Sequence, residues 1–125
     1  MEKFYTSNAP APVGPYSQAI GLEQLIFCSG QAALNPKTGK IETTSVAEQT
    51  HLTLQNLEAV LAASGSGLQH VVKCNVYLKD MDDFQEMNKV YEEVFAPHKP
   101  ARTTIEAARL PLDALVEIEC VALRK

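Results

Sequence analysis

"VVKCNVYLKD" (residues 71–80) alternates apolar and polar side chains: Val72, Cys74, Val76 and Leu78 fall on one face, Lys73, Asn75 and Tyr77 on the other. That period of two predicts a strand. Towards the N-terminus, Ser45-Val46-Ala47-Glu48 fits a capping box. Val46, Thr50, Leu54, Leu57 and Leu61 then recur at helical spacing as far as Gly65, a suitable C-terminal stop. Towards the C-terminus, the acidic cluster Asp80, Asp82 and Asp83 suits the positive end of a second helix. Its apolar stripe, Phe84, Met87, Tyr91, Val94 and Phe95, stops before Pro97 and reads as core. Strands follow at "ARTTIEAARL" (101–110) and "ALVEIECVALR" (114–124), expected to form an antiparallel hairpin around Pro111-Leu112-Asp113. Upstream, "SQAIGLEQLIFCSGQ" (17–31) reads as two short strands turning around Gly21 to Gln24. The order predicts one α+β domain over residues 1–125: a mixed sheet with two helices on one face.

Two helices cover only one side of such a sheet. Yet "LIFCSG" (25–30) is apolar on both faces, Leu25 and Phe27 pointing one way and Ile26 and Cys28 the other. A strand apolar on both faces needs a second cover, and the chain offers no third helix. Another copy of the same chain is the natural candidate, so an oligomer is expected.

Composition narrows the function classes. The 125 residues are 46% hydrophobic and 21% charged, ordinary for a globular domain. A net charge of −4 argues against gripping nucleic acid through a basic surface. No apolar run approaches membrane-spanning length, and "MEKFYTSNAPAPVGPYSQ" lacks the apolar centre of a secretory signal. A cytoplasmic address is expected, without membrane association. Cys28, Cys74 and Cys120 are widely spaced in apolar runs and read as buried free thiols. His51, His70 and His98 show no metal-ligand spacing, and no metal site is expected. "NPKTGK" (35–40) is turn chemistry; it lacks the earlier glycine of a phosphate loop.

Charged residues inside strands carry the chemical question. Glu117 and Glu119 share a face of the last strand with Leu115, Val121 and Leu123, and carboxylates in an apolar strand are costly unless paired, hydrogen-bonded or wet. Glu119 reads as solvated; for Glu117 the pattern leaves a solvated and a functional reading open. The expected hairpin would bring Arg109 close to Glu117. Arg102, where the loop Lys99-Pro100-Ala101 becomes Thr103-Thr104-Ile105, would then need an anion from another subunit or a ligand.

"GPYSQAI" (14–20), "FCSGQ" (27–31), "NPKTGKI" (35–41), "PARTTIEAARLP" (100–111) and "VEIECVA" (116–122) resemble, in order and spacing, the Rid family, also called YjgF. The match is to its RidA-type enamine/imine deaminases and spans essentially the whole chain. The resemblance implies a chorismate-mutase-like homotrimer with ligand clefts at the subunit interfaces. It places the family's substrate-anchoring arginine on Arg102 and its acidic residue on Glu117, with Tyr16, Ser29 and Gly30 lining the cleft. Thr104 stands where several such proteins carry a cysteine, so no thiol nucleophile is assumed. Asn88 also matches a frequent family residue and reads as a helix-surface hydrogen-bonding group.

The substrates so implied are 2-aminoacrylate, its butenoate homologue and their 2-imino tautomers, converted to 2-keto acids and ammonia. A guanidinium binds a carboxylate through two parallel hydrogen bonds, suiting Arg102 to the anchor. Glu117 would position and deprotonate water, and no metal or organic cofactor is required. The alternatives are an endoribonuclease or translation inhibitor, a non-catalytic sensor of small acids, and a structural or chaperone-like trimer.

Overall fold

The computed structural model describes residues 1–125. Six strands form a single sheet: β1 (Glu2–Phe4), β2 (Ala19–Leu22), β3 (Leu25–Gln31), β4 (Val71–Leu78), β5 (Ala101–Glu106) and β6 (Val116–Leu123). They lie in the order β1-β2-β3-β6-β4-β5, antiparallel except for the β4–β5 pair. Helices α1 (Val46–Ala63) and α2 (Phe84–Phe95) share one core with the sheet, so the expected α+β class with a mixed sheet holds.

α1 begins and ends where its sequence signals stand. The Ser45 side chain accepts from the Glu48 N–H at 3.1 Å. At the other end, Ser66 N donates to Leu61 O (2.9 Å) and Gly65 N to Ala62 O (3.2 Å), with Gly65 at φ 78. This is a Schellman ending, which glycine adopts without strain. Leu54, Leu57 and Leu61 are fully buried, each contributing about 1.5–3 kcal/mol. In α2, Met87, Tyr91 and Phe95 are buried as the stripe required.

The last two strands depart from the expected hairpin. β5 does not pair with β6; it lies parallel to β4, joined to it through α2. β6 passes between β3 and β4 instead. Burial explains the choice: Val116, Ile118, Cys120 and Ala122 are buried and profit from neighbours on both sides, whereas β5 is largely exposed and suits an edge. The first segment also ends sooner, at Glu106. The connection turns through Leu112 (φ 58) and Asp113 (φ 52). Arg109 therefore does not reach Glu117; its Nε lies 3.9 Å from Asp113 Oδ1, both side chains in solvent.

Three smaller differences remain. β1 escapes local pattern reading because three residues carry too little periodicity. Gly21 lies inside β2 because Phe4 and Arg124 cover it; a Cβ there would sit 2.3 Å from Arg124 Nη2 and 2.9 Å from Phe4 Cε2. A bulge between Val71 and Lys73 transfers Val71 to the core and turns Val72 outward.

The uncovered face matches the reading of "LIFCSG". Ile26 and Cys28 are buried, while Phe27 is 42% exposed, and Leu22, Leu25 and Leu123 are exposed with it. On the covered side the three cysteines are free and buried, side by side in register across β3, β6 and β4.

Candidate functional site

The residues singled out from sequence form two separate groups. Glu117, Tyr16, Ser29 and Gly30 line one cleft of about 370 Å³, with Glu119 and Leu112 at its walls. Gly30 creates room for the acid: a Cβ there would stand 2.9 Å from both Cδ and Oε2 of Glu117. Burial, reinforced by the charge of Glu119, raises the Glu117 pKa above the ordinary carboxylate range. Ser29 Oγ donates to Ser17 O at 2.6 Å, so its proton is committed to holding the loop. Tyr16 Oη accepts from Val13 N at 3.3 Å and keeps its own proton free to donate.

Polar side chains buried beneath this cleft fix its walls. Gln18 Nε2 donates to Thr6 O (3.1 Å) and Pro10 O (2.9 Å), while its Oε1 accepts from Thr6 N (2.7 Å). Asn56 Nδ2 donates to Ala32 O (3.0 Å) and Leu34 O (2.9 Å). Gln49 Oε1 accepts from Leu115 N at 2.9 Å, two residues before Glu117. The sequence reading passed over all three. For Gln49 and Asn56 the available signal was an amide on an otherwise apolar helix face, where a buried amide must find partners; Gln18, in the loop before β2, offered none.

Arg102 and Thr104 belong to the second group. Arg102 is registered with Cys74 and Thr104 with Val76, so both point to the helix-covered side. The guanidinium carbon of Arg102 lies 4.8 Å from the Tyr91 ring centroid and 5.5 Å from that of Phe84. It forms no ion pair within the chain. Around it, Asn88 Oδ1 and Thr104 Oγ1 are buried without hydrogen-bond partners, and Tyr91 Oη has only the weak Cys74 thiol beside it. Such unpartnered buried atoms are rare in native proteins and call for a partner, be it water or a ligand. Phe84 and Tyr91, read from sequence only as core stripe, bracket this arginine. Burial raises the pKa of Cys74, beside Tyr91 and Arg102, so it remains a neutral thiol and a poor nucleophile.

Within one chain the two groups do not meet. Glu117 is registered with Tyr77 on the open face, while Arg102 lies under α2 on the opposite one. Glu119 is also not free in solvent as expected; it is half-buried and accepts from Tyr77 Oη at 2.6 Å.

The profile of the family described as Endoribonuclease L-PSP matches residues 6–124. The chain belongs to that family, also known as YjgF, RutC or RidA. A RutC family protein of Pyrococcus horikoshii is 48% identical over 124 residues, covering 99% of this chain and 98% of its own. The 2-iminobutanoate/2-iminopropanoate deaminase of Escherichia coli is 43% identical over 123 residues, covering 96% and 95%. A solved structure of E. coli TdcF with bound serine superposes with a TM-score of 0.95 at 36% identity, covering 100% of both chains. The RutC/YjgF fold of this chain is therefore the one its motifs implied.

Proposed function

We propose that the chain hydrolyses 2-imino acids, in equilibrium with their enamine tautomers, to 2-keto acids and ammonia, in a homotrimer whose clefts lie between subunits. The observation that carries the reading is the separation of Arg102 and Glu117 onto opposite sheet faces. Each is equipped for half of a site that one chain cannot close. The apolar open face supports the assembly, since exposed patches of this kind mark interaction surfaces. The deaminase relative and the serine-bound relative support a small carboxylate as ligand.

In this reading Arg102 of one subunit takes the substrate carboxylate through two parallel charge-assisted hydrogen bonds, each contributing about 1.5–3 kcal/mol. Phe84 and Tyr91 hold the guanidinium plane, while Asn88 and Thr104 offer unpaired oxygens nearby. Glu117 of a neighbouring copy orients water against the imine carbon and removes its proton. General-base help of roughly 10²–10⁴-fold suffices for a bond that water already hydrolyses. The acidic walls of the Glu117 cleft, Glu117 and Glu119, disfavour a phosphate backbone and hence the ribonuclease alternative.

The test couples a serine or threonine dehydratase to keto-acid release, with and without the protein. Acceleration is expected. No acceleration would refute the deaminase assignment, and protein-dependent cleavage of added RNA would favour its rival.

A further inference from the structure

We infer that Glu119, fixed by Tyr77, is a positioning residue for the reaction: its charge beside Glu117 suits that single carboxyl to carry protons in both directions. The inference rests on the deaminase reading above and extends it. Glu117 and Glu119 stand two residues apart on the same face of β6 and line the same cleft. Tyr77, directly across on β4 in register with Glu117, reaches along the strand to Glu119 Oε1 at 2.6 Å. So short an O–H···O contact belongs to a charge-assisted hydrogen bond and holds the Glu119 carboxylate in one place. The same contact pushes the Tyr77 hydroxyl up to about 12, so it stays a donor throughout the working range.

Within one chain nothing on this face neutralises the pair; in the assembly proposed above, Arg102 of a neighbouring copy would face it in wild type and variants alike. The groups facing Glu117 are Glu119 along its own strand, Tyr77 across β4, and Tyr16 and Ser29 from the N-terminal side. Lys73, the cation of β4 on this face, donates to Thr103 Oγ1 at 3.0 Å instead. In the connection before β6, Arg109 is matched to Asp113.

Imine hydrolysis needs a proton carrier twice. Water adds to the imine carbon, Glu117 takes the proton it loses, and that proton passes to nitrogen, giving a carbinolamine. The hydroxyl proton then travels by the same carboxyl to the amino nitrogen as the carbon–nitrogen bond breaks. The carbonyl forms and ammonia leaves, with Glu117 returned to carboxylate. A group of ordinary acidity accepts the first proton poorly. Burial, and beside it the fixed charge of Glu119, brings the proton affinity of Glu117 closer to the working pH, where a shuttle is most efficient.

The test is the pH dependence of kcat/KM for wild type, Glu119→Gln, Glu119→Asp and Tyr77→Phe. Loss of activity on the acid side reports protonation of Glu117. Glu119→Gln removes the adjacent charge and should move that limb to lower pH. Tyr77→Phe, which releases the Glu119 carboxylate from its place beside Glu117, should move it the same way. Glu119→Asp keeps the charge and should leave it in place. A limb that stays put in both Glu119→Gln and Tyr77→Phe overturns the inference. The Glu117 carboxyl can also be titrated directly by carbon-13 NMR, without any substrate. An unchanged titration in Glu119→Gln refutes the coupling whether or not the protein is a deaminase, whereas wild-type inactivity with a shifted titration refutes only the activity.

Discussion

Burial and the charge of Glu119 raise the pKa of Glu117, so the folded chain binds a proton there more readily than the unfolded chain does. The raised-pKa case has a definite sign. Stabilisation from the bound proton is complete below the unfolded pKa and is lost as pH rises through the folded one. At neutral pH the ionised Glu117 therefore opposes folding. Glu117→Gln should raise the melting temperature at pH 7, and the gain over wild type should vanish below the ordinary carboxylate range, about 4.3. Calorimetry across pH checks this. The same variant should lose roughly 10²–10⁴-fold in kcat, the trade expected where chemistry requires a costly group. Arg102→Lys keeps the charge and loses the fork and its stacking on Tyr91. Its kcat/KM for keto-acid release should fall roughly 10–100-fold, mostly through KM; an unchanged KM would remove Arg102 as the anchor.

Between elements, the buried amides of α1 transmit the helix position to the cleft. Asn56 satisfies the carbonyls of Ala32 and Leu34, and Gln49 the amide of Leu115. Asn56→Ala would leave two carbonyls without partners, at about 1–3 kcal/mol for each buried one. Urea denaturation should show about 2–4 kcal/mol of lost stability, and the segment around residue 33 should lose amide-exchange protection. A midpoint equal to wild type would show that water replaces the amide at no cost. Pattern reading located both helices because capping and apolar spacing are local. It missed these amides because their partners lie 22 to 66 residues away, where no local rule reaches.

For the molecule as a whole, the proposed assembly carries its own test. If Arg102 and Glu117 act across a subunit boundary, Arg102→Ala and Glu117→Gln proteins should each be inactive alone. Unfolded together and refolded, they should regain part of wild-type activity, because some clefts would then pair an intact arginine with an intact glutamate. A mixture no more active than its components would place the working site within one chain. The open face, with Phe27, Leu25 and Leu123 exposed, is where such copies would meet.

The sequence by itself determined the two helices with their ends, the alternation of β4 and β6, the two-sided apolar character of β3, and the family through its motifs. Each of these depends on neighbours a few residues apart or on residue identities. Only the tertiary structure decided the strand order. It inserted β6 between β3 and β4 and sent β5 to the edge, which freed Glu117 from Arg109 and set it on the face opposite Arg102. The physical reason is that pairing is chosen by total burial across the sheet. An apolar strand gains more at the centre than a short connection to its neighbour in sequence can offer.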